Sequence, residues 1–209
     1  MSLGQTLRPV FLLVLLALGW PLRAPATVIV PPDFDALAAG SDYVIRARVT
    51  ETTAELVPSA TGRKIVTRVK VDVLEVIAGE PPADLVLVCL GGRVGDEELI
   101  VDGAPVFNVG DESILFVKGN GRAFSPLFAM TYGQYLIRTD ADTKRRYVAR
   151  GNDVPLESVD EVAQPLLDAP AAAAVKASRN LAQALSPDEF ALEIKTARRR
   201  QGIHVDDTK

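Results

Sequence analysis

The 209-residue chain sets 23 Lys and Arg against 27 Asp and Glu, a formal net charge of −4, with a single cysteine and a single histidine. An acidic balance offers no basic stripe for phosphate backbones, so nucleic acid is not an expected partner. One Cys forms no internal disulfide, one Cys with one His falls short of a zinc set, and no cofactor or metal is expected.

The chain opens with Arg8, the apolar run VFLLVLLALGW and then PLRAPA. A positive start, an apolar segment shorter than the ~20 residues of a spanning helix, and small residues at Ala24 and Ala26 make an export signal over residues 1–26. No cysteine near the cut can carry a lipid, and the paired arginines of the twin-arginine type are absent. The expectation is general-type export to the periplasm or outside the cell, with no stable membrane anchor after cleavage. Cleavage removes Arg8 and Arg23 and no acid, leaving 21 Lys and Arg against 27 Asp and Glu, a net charge of −6.

Residues 27–40 hold a short predicted helix: Asp33 can cap it, Phe34 and Leu37 share a face, and Gly40 can end it. A half-buried strand follows, with Tyr43, Ile45, Ala47 and Val49 on one side and Arg46, Arg48 and Thr50 on the other. PSATGRK reads as a loop before a longer strand, Ile65 to Ile77. In that strand Val69, Val71 and Val73 face one way, after which Leu74 and Val76 take over the apolar phase. A bulge near Val73-Leu74 repairs the slip and bends the strand.

Apolar runs at Leu85–Leu90, Leu99–Val101, Ile114–Val117, Tyr132–Ile137 and Arg146–Arg150 alternate with turn-rich segments, which points to an all-β sandwich or barrel over residues 41–150. DADTK at 140–144 begins like an acidic calcium loop, but Lys144, Arg145 and Arg146 oppose a cation, so a hairpin turn is expected. Residues 151–209 read as a linker with two helices. The first runs from Pro170 to Leu185. The second opens at SPDEF with a capping box of Ser186 and Glu189 and presents Phe190, Ile194 and Ala197 to the barrel or to a partner. Arg198, Arg199 and Arg200 at its end suit the helix dipole, and the tail from Gln201 is expected to fray.

Little in the chain resembles catalytic machinery. A Ser-His-Asp or Cys-His relay would depend on His204 in that tail, and neither a nucleophile elbow nor a phosphate loop is present. Cys89, inside DLVLVCLGG, reads as a buried small hydrophobe. LGGRVGDEE, residues 90–98, admits three readings. It can be a turn whose charges face water. It can be an anion cradle made by Gly91 and Gly92 N–H groups with Arg93. Or Asp96, Glu97 or Glu98 can pair with Asp102 or Asp111 as a glycosidase requires. VGD recurs at 94–96 and 109–111, where glycine can supply the turn angle and aspartate bond back to the chain. AFSPLFAM brings Phe124, Leu127 and Phe128 together, either as an exposed patch or as a plug in a barrel end.

SDYVIRARV, VKVDVLEVIAGE and FNVGDESILFV together resemble the netrin-module and metalloproteinase-inhibitor type of OB barrel. In that pattern a strand after AD or SD precedes one ending V-x-x-V-x-K-G, and a G-x-x-Y-L-L-F segment follows. Ala78 stands where the family has lysine before Gly79, and Asp111-Glu112-Ser113-Ile114 stands in the last segment. The whole chain also resembles exported bacterial domains in which such a barrel is followed by a short helical end. The resemblance implies a mainly β fold: a small OB-like antiparallel β-barrel with a short N-terminal helix, a C-terminal helical extension and a tendency to bind other proteins. The family's disulfides and its zinc-chelating terminal cysteine are absent, so protease inhibition is not carried over. The expected function is a non-catalytic binding module for a protein or glycan of the cell envelope, with Gly91, Gly92, Arg93, Phe124 and Phe128 as candidate contacts. The alternatives are a carboxylate-dependent glycan hydrolase and a structural envelope component. Terminal sequencing of the exported protein is expected to begin at Thr27; a start within residues 1–10 would remove the export reading.

Overall fold

The computed structural model describes residues 30–202, so the expected export signal over residues 1–26 and His204 lie outside them. Helix α1 (Phe34–Gly40) forms where expected, with the Asp33 carboxylate accepting from Ala36 N at 2.6 Å. Strands β1 (Tyr43–Ser59), β2 (Gly62–Ala78), β3 (Val86–Leu90), β6 (Glu112–Val117), β7 (Gln134–Thr139) and β8 (Arg146–Arg150) make one antiparallel sheet, ordered β3-β2-β1-β6-β7-β8. Strands β4 (Gly92–Val94) and β5 (Glu97–Leu99) form a separate ribbon. Three neighbouring strands and a fourth that returns beside the first make a Greek key.

PSATGRK is not a loop. The first two strands run 17 residues each and pair as far as Ser59 opposite Gly62, leaving Ala60 and Thr61 as a tight turn. Polar composition hid this arm, because its side chains pair across the strands: Lys70 reaches Glu51 at 2.7 Å, and Arg68 binds Glu55. The bulge lies where the phase slip placed it, since Ala47 faces Val73, Arg46 faces Glu75, and Leu74 is left over. Two more bulges, at Ile77 and Thr50, were not expected. The one at Ile77 restores the phase, so Ile77 and Ala78 enter the core while Leu74 and Val76 remain 40% and 46% exposed.

The sheet is open, with β3 and β8 as its edges, so the strand ladders do not close a barrel. The loop after β6 covers the edge of β3 instead. Asn120 accepts from Val88 N at 2.9 Å and donates to Val86 O at 2.8 Å, and Phe124 O accepts from Leu90 N at 2.9 Å. Under this curl lies a core of Ile45, Val69, Leu87, Leu115, Val117 and Leu127. The predicted alternation of β1 holds here, because Tyr43, Ile45, Ala47 and Val49 all face this core.

The other sheet face is covered by helices. Helix α3 (Pro187–Arg200) carries the expected capping box and buries Phe190, Ile194 and Ala197 completely against the sheet and α1. Phe190 stands among Phe34, Phe116 and Tyr135 with ring centroids 4.8–6.1 Å apart. Arg198 does not serve its own helix end. It is buried, and its Nη1 donates to Ala38 O at 3.0 Å and Ser41 O at 3.2 Å, closing the C-terminus of α1. Helix α2 (Ala169–Ser178) stops short of the predicted Leu185. The Arg145 guanidinium takes the carbonyls of Leu181 at 2.6 Å and Ala184 at 2.7 Å, the first of which a helix running to Leu185 would have bonded to the Leu185 N–H. The expected strand at Leu99–Val101 is shifted to Glu97–Leu99. The one at Tyr132–Ile137 starts at Gln134, after a 3-10 turn at Met130–Gly133.

Phe190→Ala is expected to lower unfolding stability by about 3–5 kcal/mol, read from urea transitions; an unchanged midpoint would show that α3 does not hold the sheet.

Candidate functional site

The five candidate residues fall in three places. Gly91 and Gly92 line a small apolar cleft of about 240 Å³ with Val69, Cys89, Val101 and Phe107. Gly91 has φ +104, its N–H donates to Ile65 O at 2.9 Å, and its carbonyl accepts from the Thr67 hydroxyl at 2.8 Å. A Cβ on Gly92 would stand 2.4 Å from that hydroxyl. The glycines therefore let the β4–β5 ribbon lie flat on the hairpin arm, and the Gly91 N–H is already engaged.

Arg93 lies on that ribbon, pairs with Glu98 across the strands at 2.8 Å and is two-thirds exposed. LGGRVGDEE is thus a hairpin turning at Gly95-Asp96. The second VGD also turns at a positive-φ glycine, Gly110, but there Asp111 N donates to Asn108 O at 3.0 Å and the aspartate side chain accepts from Asn108 at 2.9 Å. DADTK is the β7–β8 hairpin turn, with Asp140 accepting from Asp142 N and the Thr143 hydroxyl.

Phe124 and Phe128 line a larger cleft of about 400 Å³ with Lys118, Leu127, Ala129 and Met130. The two readings of AFSPLFAM divide between its residues. Leu127 is buried in the core beneath the curl, Phe128 packs on the core beneath the helices, and Phe124 is 57% exposed. The Lys118 ammonium stands 4.1 Å from the centroid of the Phe128 ring. Behind them Ala129 and Met130 take φ +53 and +59, a left-handed conformation that costs residues with a Cβ about 1–2 kcal/mol each. Bonds on both sides hold the segment: Phe128 N donates to Phe116 O at 2.8 Å, and Thr131 N to Gly103 O at 3.2 Å. Periodicity could not show this turn, because alanine and methionine carry no left-handed signal. The two clefts adjoin across the bond from Leu90 N to Phe124 O.

Cys89 is buried, as its apolar context implied, and burial pushes its thiol up to about 12. Of the acids proposed for glycan cleavage, Glu98 is held by Arg93 and Asp111 by Arg138 at 3.1 Å, while Glu97 is 61% exposed on the ribbon. A polar cleft of about 480 Å³, lined by Arg48, Arg138, Arg146 and Glu112, was not anticipated beyond the placing of Arg46 and Arg48 on one strand face. Among the described residues no helix is long and apolar enough to cross a membrane.

These features define a mainly β protein with a curled antiparallel sheet, helices on one face and an open apolar cleft at the end of β6. No family model and no curated protein matches the chain.

Because the thiolate is the reactive form, Cys89 is expected to resist iodoacetamide at pH 8 in the folded protein and to react fully in urea, as read by intact mass. Rapid labelling of the folded state would show that the small cleft opens to solvent.

Proposed function

We propose that this chain is an exported, non-catalytic binding module that takes an apolar side chain of an envelope protein into the cleft of Phe124, Phe128 and Met130. The observation that carries this reading is the pairing of an exposed aromatic ring with a strained backbone beside an open apolar cleft. Residues held in sparsely populated conformations cluster at ligand clamps, and binding sites favour apolar walls with a few polar groups. Lys118 and Ser125 are polar groups at this wall.

The OB-type barrel belongs to the same proposal. The Greek key of β1, β2, β3 and β6 supports it, since the OB fold is a partly open Greek-key barrel. Export through residues 1–26 would place the module in the periplasm or outside the cell. The structural-component alternative finds less support, because the apolar face of α3 is used on its own sheet. The glycan-hydrolase alternative loses two of its acids to ion pairs.

Immobilised protein from Thr27 to Lys209 is expected to retain one envelope protein saturably. Phe124→Ser should weaken retention about tenfold or more, and Arg93→Ala should leave it unchanged. Equal retention by the parent and Phe124→Ser would remove the cleft from the site, and retention of glycans alone would overturn the protein partner.

A further inference from the structure

The sheet face that α3 covers does not end with the helix. Along β1 the face passes from Val44 under the helix to Arg46 and Arg48. Along β6 it passes from Phe116 and Ile114 to Glu112, and along β8 from Val148 to Arg146. Where the cover stops, Arg48, Glu112 and Arg146 open into the polar cleft of about 480 Å³.

The centre of the cleft is one carboxylate. Glu112, with its side chain 12% exposed, meets Arg146 at 2.5 Å, Arg48 at 3.2 Å and Arg46 at 4.0 Å. Arg46 is further engaged by Glu75 at 3.3 Å and Asp188 at 3.8 Å. Arg138 is neutralised in another way, between two carboxylates, Asp111 at 3.1 Å and Asp153 at 2.8 Å, the latter also holding Lys176.

That leaves Arg48 and Arg146, 52% and 44% exposed, sharing a single acid. A guanidinium carries five N–H donors, whereas a carboxylate offers about four acceptor sites. The two arginines therefore keep unpaired donors in fork geometry at the cleft wall, in a chain that is acidic overall. Such forks recognise planar or tetrahedral oxyanions in a bidentate manner.

We propose that this cleft is a second binding site, distinct from the apolar one, which holds the oxyanion group of an acidic ligand (carboxylate, sulfate or phosphate) between Arg48 and Arg146. Glu112 fixes the two guanidiniums and competes with the ligand for them. The anion recognition that the sequence suggested for Arg93 is thereby assigned to residues from strands far apart in the chain.

The test is calorimetric titration of the mature protein at low ionic strength with glucuronate, sulfate and inorganic phosphate, which separates the three sources of the group. Saturable binding of at least one probe is expected, weakened by salt. Arg48→Gln and Arg146→Gln should each reduce affinity about tenfold, with thermal unfolding reporting that both remain folded. Glu112→Gln should act in the opposite direction, raising affinity several-fold although the sheet loses the ion pairs to Arg46, Arg48 and Arg146. Arg93→Gln serves as the control and should bind like the parent. Absence of saturable binding with all three probes would overturn the site, as would affinity unmoved by Arg48→Gln and Arg146→Gln. A Glu112→Gln protein that folds but binds more weakly would assign the arginines to the sheet alone and overturn it as well. None of these outcomes depends on the apolar cleft.

Discussion

Everything in this molecule hangs on β1 being paired along both edges for only its first part. From Tyr43 to Arg48 it lies between β2 and β6, and beyond Thr50 it pairs with β2 alone. The doubly paired part is the middle of the sheet, so both of its faces are covered and both main cores form against it. The singly paired part becomes an arm whose faces are largely polar, steadied by cross-strand ion pairs and by the β4–β5 ribbon. The bulge at Thr50 occurs at this change, where the strand must bend from the sheet into the arm, and those at Leu74 and Ile77 lie opposite the doubly paired part.

The clefts follow from the same division. Curling brings the loop after β6 onto the edge of β3, and that loop carries Phe124 and the left-handed pair Ala129 and Met130. The helix-covered face leaves its own remainder, because α3 begins at Pro187 and cannot reach the ends of β1, β6 and β8. One cleft is apolar because a seam between two cores is imperfectly filled. The other is charged because a sheet face outruns its cover.

Local devices were legible in the sequence. The capping box of Ser186 and Glu189, the Asp33 cap, the alternation of β1 and the bulge at Leu74 each depend on a few neighbouring residues, and each is present. Long-range features were not legible. The bulge at Thr50 lies among polar residues, where a phase slip leaves no apolar trace. Glu112 gathers arginines from β1 and β8 that only the strand order brings together. Arg198 read as a dipole partner because its real acceptors, Ala38 and Ser41, are 160 and 157 residues away. Of the candidate contacts, the aromatic loop reached an open cleft because its apolar residues exceed what the core can absorb. Arg93 did not, because Glu98 across the turn answers its charge.

The clamp of Arg198 on α1 also bears on when the chain can fold. Among the described residues the helix that covers the sheet is the last element and the helix it closes is the first, so the core beneath them cannot be completed before Arg198 has been delivered. Contacts this distant in sequence pay their loop-closure entropy before any packing rewards it. Until then Phe34, Phe116 and Tyr135 have no Phe190 to meet. Completion of that core therefore waits on α3, and a chain truncated before Phe190 would carry a complete sheet with one face only partly covered, by α1 and the segment around Leu156 and Val162.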